Sequence, residues 1–243
     1  MQTLIITSTI FIFAIVQSVF GVGILVFGTP TLMLAGMSFP EALSWLLPAS
    51  ISVSICQVIS GRYLLPNIFA ANRVYFCLGP LVLTLVFVLV SGYEARIEWM
   101  LGITMLGIAL LRQSERLRAW LSRFIKQYER WYLALMGIVH GATNMGGSLL
   151  SIYTAFKSEN KYNVRTVTAL YYLSFGLLQL AILSVLRPEI FGINNFLGPL
   201  IALIGYFVMG RVIFLKVTHK TYDVALTSLV ALYGLAILTK ANF

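Results

Sequence analysis

Two clusters of glycines interrupt apolar stretches that are otherwise long enough to cross a membrane. The first cluster contains Gly21, Gly23 and Gly28, and the second contains Gly146 and Gly147. Glycine has no Cβ, so its backbone can approach a ligand closely. A helix that restarts at such a break presents free N–H groups and a partial positive charge, which bind an anion without lysine or arginine. The two clusters therefore predict a site for a small oxyanion.

Polar side chains beside the clusters could add directed hydrogen bonds to such an anion. They are Gln17, Ser18, Thr29, Asn144 and Ser148. The alternative is that the glycines serve only helix packing through small residues. Gly137 and Gly141 form a GxxxG pair that fits this alternative well.

Few ionisable side chains are placed where they could take part in chemistry. His140 is the only titratable residue near the middle of an apolar stretch, and such groups in membranes indicate function by default. It could carry a coupled proton or bind the substrate, or it could be a satisfied core residue; both alternatives stay open. Arg211 is expected to reach the membrane interface, and Glu41 and Arg165 are interpreted as interfacial.

The sequence contains no arrangement typical of an enzyme. It lacks an HExxH motif, a Walker lysine and an acidic pair inside an apolar stretch. Cys56 and Cys77 lie inside apolar runs and are interpreted as small buried hydrophobes. No strand is predicted before Gly21, which argues against a dinucleotide-binding loop. We expect neither catalysis nor a cofactor nor a metal.

The composition is that of a membrane protein. Of 243 residues, 59% are apolar and only 10% are charged, whereas soluble domains carry about 25% charged residues. The net charge of +9 comes from arginines and lysines in the gaps between apolar runs. That distribution is typical of cytoplasmic loops and argues against nucleic acid as a partner.

Eight apolar segments are predicted as helices, because irregular backbone cannot face lipid. They are Leu4–Ala35, Ala42–Ile59, Val74–Ser91, Ile97–Leu111, Trp131–Ala155, Val167–Leu186, Phe196–Leu215 and Val224–Leu238. The first and fifth contain the glycine clusters, and each is followed by three cleaner segments. The chain is therefore predicted to be an all-α integral membrane protein with two four-segment repeats, residues 1–111 and 131–243. Paired interrupted segments of this kind indicate the binding site of secondary transporters.

A basic amphipathic helix is predicted between the two repeats, over residues 112–130. Arginines and lysines outnumber its two glutamates, and apolar side chains recur at helical spacing. One interpretation is a linker that fixes the topology, and the other is a docking site for anionic lipid.

The interrupted segments resemble those of the sulfite exporter TauE/SafE family of small-anion permeases. The residues that bear the resemblance are Gly21–Pro30, Ala35–Ala42, Asn144–Tyr153, Asn163–Ala169 and Gly205–Arg211. The resemblance extends over nearly the whole chain. It implies a multi-pass protein of the cell membrane, of the bacterial inner-membrane type, that transports sulfite or an organosulfur anion.

The resemblance and the glycine clusters together give a function hypothesis. The chain is expected to be a secondary transporter that binds its anion at helix breaks near the midplane and moves it by alternating access. Membrane lipid and the small anion are the expected partners, and a homodimer is left open. A membrane-embedded enzyme and a non-transporting sensor or assembly subunit are the alternatives.

The positive charges also predict a topology, since they mark cytoplasmic loops. Arg62 and Arg73, the linker, Lys157 to Arg165, and Arg211 to Lys220 would all lie inside. This is possible only if Trp131–Ala155 enters the membrane, breaks near Asn144–Gly147 and returns to the same side. The same treatment of Leu4–Ala35 gives two repeats of inverted topology with Phe243 outside, whereas eight simple spans place Phe243 inside.

Overall fold

The computed structural model describes residues 2–67, 74–91, 97–158 and 160–216, and residues 224, 227, 228, 230–236 and 239 near the C-terminus. Within these ranges, the side chains of residues 65–67, 97, 98 and 112 are not described. The topology argument also used Arg73, Lys220 and Phe243, which lie outside the described residues.

The described residues are helical and contain no strand, which confirms the all-α fold class. The helices of the first half are α1 (Gln2–Phe20), α2 (Ile24–Leu34), α3 (Phe39–Ser60), α4 (Tyr75–Ser91) and α5 (Ile97–Gln113). Those of the second half are α6 (Glu115–Thr143), α7 (Gly146–Lys157), α8 (Lys161–Leu186), α9 (Leu197–Gly205) and α10 (Arg211–Lys216). A π-helical turn, Tyr206–Gly210, joins α9 to α10.

Among the described residues, four helical stretches are long and apolar enough to cross a membrane. They are Gln2–Phe20, Phe39–Ser60, Lys161–Leu186 and Ile193–Lys216. Large apolar side chains remain exposed along these and other helices, for example Leu83, Val185 and Val208. A helix that is apolar on both its packed and its exposed face is typical of a membrane span.

Helices α1 and α2 form an antiparallel pair joined by Gly21–Gly23. The rings of Phe13 and Phe27 stack with centroids 5.6 Å apart, and the backbone of Gly23 lies against that of Gln17. Gly21 adopts a positive φ of 74°, which a glycine accepts without strain. The chain therefore reverses at the glycines, and α2 runs back along α1.

Helices α6 and α7 form a second antiparallel pair. The Tyr132 hydroxyl donates to the Leu149 carbonyl (2.8 Å), and the Tyr153 hydroxyl donates to a Glu129 carboxylate oxygen (2.6 Å). Asn144, between the two helices, adopts a left-handed conformation with φ 63°. The non-helical residues at the two reversals are 21–23 and 144–145.

The irregular stretches are shorter than the sequence suggested. Gly28 and Pro30 lie within α2, where Gly28 leaves room for the Leu46 side chain. A proline inside a helix removes its own N–H bond, and neighbouring groups in a helix bundle can compensate. The basic linker forms the first part of α6, from Glu115 onward, and non-helical angles at Tyr128 make a kink between it and the rest of the helix.

The two arms of each pair are also unequal in length. Helix α1 has 19 residues, whereas α2 has 11 and α7 has 12. At 1.5 Å per residue these correspond to about 28, 16 and 18 Å. The returning arms are thus close to about 15 Å, which is half the thickness of the hydrocarbon core.

Each half of the chain packs one of its helices along a helix of the other half. Helix α4 of the first half packs along α6 of the second, and α9 of the second half packs along α1 of the first. Helices α3 and α8 pack against each other at the centre. Buried apolar side chains from both halves form one continuous core.

Side-chain contacts group the helix ends at two ends of the molecule. At the first end, named the Asn195 end, the Asn195 amide donates to Ser44 Oγ (2.8 Å) and Arg187 donates to the Leu89 carbonyl (3.1 Å). At the opposite end, named the Glu129 end, Lys157 pairs with Glu129 (2.8 Å) and Lys161 Nζ donates to the Phe214 carbonyl (3.3 Å).

Gly137 and Gly141 serve close packing between α6 and α4. A Cβ added at Gly137 would overlap the Cys77 carbonyl oxygen, and one at Gly141 would overlap the Leu81 carbonyl oxygen. Nothing lies within 4 Å of the corresponding point at Gly79, which is on the same helix as Cys77. The packing interpretation of this GxxxG pair is therefore confirmed.

We expect Gly137→Leu to separate α4 from α6 and to cost several kcal/mol, because the overlap is with rigid backbone. The yield of monodisperse protein in detergent and its midpoint of thermal unfolding measure the effect. Gly79→Ala, the matched control, should leave both unchanged. Equal behaviour of the two variants would contradict the packing assignment.

Candidate functional site

The two reversals meet inside the molecule through Asn144. Its amide nitrogen donates to Thr29 Oγ1 on α2 (3.1 Å), and its oxygen accepts from Gln179 Nε2 on α8 (3.1 Å). Asn144, Thr29 and Gln179 are all completely buried. Two predicted site residues are thus in direct contact although they are distant in sequence.

The two reversals have the same spacing between a polar residue of the arriving helix and a glycine near the start of the returning helix. Gln17 lies six residues before Gly23, and His140 lies six residues before Gly146. Gly23 packs on the backbone of Gln17, and Gly146 packs on the Cβ of His140. In both cases the missing glycine side chain allows the returning helix to start directly against the arriving one.

The first reversal is closed by hydrogen bonds within the protein. Gln17 Oε1 accepts from the Ile24 N–H (3.2 Å) at the start of α2 and from Ser50 Oγ (3.1 Å). Its amide nitrogen donates to the Ser50 carbonyl (3.0 Å) and to Ser54 Oγ (3.2 Å). Gln57 Nε2 donates to the Gln17 carbonyl (2.8 Å). Gln17 therefore acts as a cap for α2.

The second reversal has no such cap. Met145, which precedes α7, makes no side-chain bond to the first turn. The first N–H groups of a helix have no partner within the helix. Gly146 and Gly147 are buried, and the Ser148 N–H donates to the Met145 carbonyl (3.1 Å). The start of α7 is therefore a positive helix end that lies inside the bundle.

Several buried polar atoms near the start of α7 have no hydrogen-bond partner among the described residues. They are Ser148 Oγ and at least one ring nitrogen of His140, whose other ring nitrogen interacts with Gln179 through a loose hydrogen bond. The His140 ring lies 4.5 Å from the ring centroid of Phe175 and is completely buried. A buried polar atom without a partner costs about 1–3 kcal/mol. This reversal thus has hydrogen-bonding capacity that the described residues leave unused.

Gly147 also lies directly against a tyrosine. A Cβ added at Gly147 would overlap the Tyr172 hydroxyl of α8. The His140 and Tyr172 rings have centroids 5.9 Å apart. Tyr172 therefore forms part of the wall of the second reversal.

The predicted site residues fall into two groups. Gln17, Gly21 and Gly23 belong to the first reversal, whereas Asn144, Gly146, Gly147 and Ser148 belong to the second, with Thr29 joining them. Gly28 packs on Leu46 inside α2. The Ser18 hydroxyl donates to the Ala14 carbonyl in its own helix (2.6 Å).

Sequence reasoning missed Gln57, Gln179 and Tyr172, and it placed Arg165 at the interface. Gln57 follows Gln17 by 40 residues, and Gln179 follows His140 by 39. Amide side chains at matched positions in two apolar segments were a signal that could have been used. Arg165, which was expected at the interface, lies about one turn after the start of α8 and is buried within the protein, since only 9% of it is exposed.

A pocket of about 440 Å³ opens elsewhere, at the Glu129 end. It lies between the basic amphipathic part of α6 and the second half of α7, and Arg118, Ser122, Ser151 and Phe156 are among its walls. None of the predicted site residues lines it. Ser151 donates to the Ser148 carbonyl (2.7 Å), so the floor of the pocket lies one helical turn from the second reversal.

Comparison with known proteins adds no assignment. No protein-family model matches the chain, and no curated protein or solved structure matches it.

Asn144 should be sensitive to the kind of substitution as well as to the loss of its side chain. Asn144→Ala and Asn144→Gly both remove the bonds to Thr29 and Gln179, but alanine must also adopt the left-handed conformation, which costs about 1 kcal/mol. We expect Asn144→Ala to unfold at a lower temperature than Asn144→Gly in the same detergent. Equal unfolding midpoints would show that the conformation at residue 144 is not held.

Proposed function

We propose that this protein is a secondary transporter of small anions, with the anion bound at the second reversal. The observation on which the proposal rests is the uncapped start of α7, where Ser148 Oγ is buried without a partner among the described residues. An oxyanion would accept from the first N–H groups of α7 and from the Ser148 hydroxyl, and its charge would be stabilised by the helix end.

His140 gives this site a group that can exchange a proton. Gln179 interacts with its ring through a loose hydrogen bond, the second ring nitrogen has no partner among the described residues, and the ring contacts Phe175. A buried imidazole binds a proton more readily when an anion lies next to it. Proton coupling through His140 is therefore part of the proposal.

The substrate class comes from the resemblance to the TauE/SafE permeases. Sulfite or an organosulfur anion fits a site made of backbone N–H groups, a hydroxyl and an amide, because sulfur oxyanions accept several hydrogen bonds at once. Transport is proposed rather than catalysis because the proposed site offers donors for an anion but no nucleophile with an adjacent base.

The proposed mechanism uses two repeats of inverted topology. Support comes from the exchanged packing of α4 with α6 and α9 with α1, and from the matched positions of Gln17 and His140. Each reversal would then be a re-entrant pair that starts and ends on one side of the membrane. Rocking of one repeat against the other would expose the site to the two sides in turn.

The distribution of charge supports a cytoplasmic position for the Glu129 end. Lys157, Lys161 and the basic part of α6 lie there, joined by the Lys157–Glu129 ion pair. Glu41, Arg187 and Glu189 lie at the Asn195 end. Positive charge concentrated at one end is what a cytoplasmic end requires.

The glycine at the site should be required for flux beyond its role in packing. We expect Gly147→Ala to lower sulfite flux into sealed vesicles at least about tenfold per folded molecule, because the added Cβ would overlap the Tyr172 hydroxyl and displace this side chain at the wall of the site. Gly205→Ala is the matched control, since its Cβ would meet the Phe11 carbonyl oxygen at 2.9 Å in a packing contact between α1 and α9.

Flux per folded molecule should stay near the wild-type value in Gly205→Ala. The amount of folded protein is measured by size-exclusion chromatography of the solubilised vesicles. Normal flux in Gly147→Ala, or an equal loss in both variants, would refute the site. Absence of flux in the wild type for all sulfur oxyanions and carboxylates would refute the transporter.

The topology can be tested with the complete chain. Inverted repeats place the C-terminus outside, so a reporter that is active only outside the cytoplasm should be active when fused after Phe243. A second fusion with a reporter that is fluorescent only in the cytoplasm serves as the control and should be dark. The opposite pair of results would establish eight simple spans instead.

A further inference from the structure

Arg165 is a buried cation near the Glu129 end of α8. Its guanidinium carbon lies 3.7 Å from the ring centroid of Phe214 on α10. One terminal nitrogen donates to the Ser18 carbonyl of α1 at 3.5 Å, and Nε has no partner among the described residues. A guanidinium has five N–H donors in a planar fork, and the Nε donor of Arg165 is unused among the described residues.

No carboxylate among the described residues forms an ion pair with Arg165. The charged group that acts on it is another cation, Arg211, and the remaining groups around it are the hydroxyls of Tyr63, Tyr162 and Tyr206. Stacking on Phe214 offsets part of the cost of burying the charge. A buried charge without a counterion is nevertheless strongly unfavourable. Among the described residues, the surroundings of Arg165 therefore lack one negative charge.

A line of buried polar side chains connects Arg165 with both reversals. One face of α8 contains Arg165, Thr168, Tyr172 and Gln179, because the spacing between successive members is close to one or two helical turns. Thr168 lies against Gly21 at the first reversal, with Cγ2 at 2.9 Å from the point where a Cβ would lie. Tyr172 lies against Gly147, and Gln179 bonds to Asn144, at the second.

The length of this line matches a route through about two thirds of a membrane. From Arg165 to Gln179 the helix rises by about 21 Å at 1.5 Å per residue, and the hydrocarbon core is about 30 Å thick. All four side chains are at most 9% exposed. The face of α8 is thus polar from the Glu129 end to the second reversal, inside a bundle that is otherwise apolar.

We propose that Arg165 is a second binding residue for a small oxyanion and that the anion binds there on its way between the Glu129 end and the second reversal. The ligand class is a planar or pyramidal oxyanion, such as sulfite or a carboxylate. Two of its oxygens can accept from Nε and a terminal nitrogen in a bidentate pair. The position on the transport route rests on the proposed function, whereas binding at Arg165 does not.

An anionic lipid headgroup presents the same chemistry as a free oxyanion. The burial of Arg165 between α1, α8 and α10 favours the free anion, because a headgroup would have to bring its acyl chains along. The experiment therefore uses protein freed of lipid in a neutral detergent, with one arm that receives sulfite and another that receives phosphatidylglycerol.

The measurement is the shift in the thermal unfolding midpoint that sulfite produces over chloride at equal ionic strength. The wild type should be stabilised in a saturable manner. Arg165→Gln should weaken the apparent affinity at least about tenfold, since it removes a charge-assisted pair. Arg165→Lys should give an intermediate loss. Arg187→Gln, which changes a partly exposed arginine at the Asn195 end, should keep the wild-type shift.

A wild-type shift that Arg165→Gln leaves intact would overturn the proposal, as would stabilisation by phosphatidylglycerol alone. If Arg165→Gln does not fold, selenite, the pyramidal selenium analogue of sulfite, replaces sulfite with the wild-type protein. An anomalous peak next to the Arg165 guanidinium is then expected, and its absence overturns the proposal. If sulfite is transported but no anion binds at Arg165, the proposed transport function stands and the binding proposal fails. If an anion binds at Arg165 but no flux is measured, the binding proposal stands and the transport function fails.

Discussion

The hydrogen bonds of Asn144 link three parts of the chain that no covalent or local constraint brings together. The amide donates to Thr29 on α2 and accepts from Gln179 on α8, and it does so from a left-handed residue at the turn between α6 and α7. In an apolar interior an unpaired amide is costly, so this arrangement allows few alternatives. The orientation of both antiparallel pairs depends on it.

The need to pair buried polar groups also explains why the two reversals differ. At the first, the start of α2 is satisfied by Gln17, which is itself held by Ser50 and Ser54. At the second, the corresponding position is His140, whose ring stacks near Phe175 and caps nothing among the described residues. Two reversals built from the same backbone plan can thus have different roles. One is a closed structural turn, and the other keeps a helix end available.

Close packing is the second condition on which the site depends. Gly137, Gly141 and Gly205 let helices from different halves approach to backbone contact, and Gly147 does the same for Tyr172. Van der Waals attraction and steric repulsion act over very short distances. Each of these contacts therefore fixes the relative position of two helices within narrow limits. The glycines of this chain therefore serve two purposes that composition cannot separate, namely packing between helices and the reversal of the chain.

Three features can be predicted from the sequence alone. They are the contact of the exterior with lipid, the helical fold class and the place of the two irregular stretches. Scarce charges and long apolar runs require lipid contact, and lipid contact requires satisfied backbone bonds and therefore helices. Which polar residues contact each other depends on how the helices pack, and this cannot be read from the sequence. Gln17 and Asn144 have the same kind of side chain in the sequence, yet one closes its reversal and the other joins the two halves. The position of Arg165 shows the same limit. A residue near a helix start is expected at the interface, but its exposure is set by α1 and α10, which pack over it from distant parts of the chain. Burial and pairing are properties of packed surfaces, and a linear pattern does not contain the distances between them.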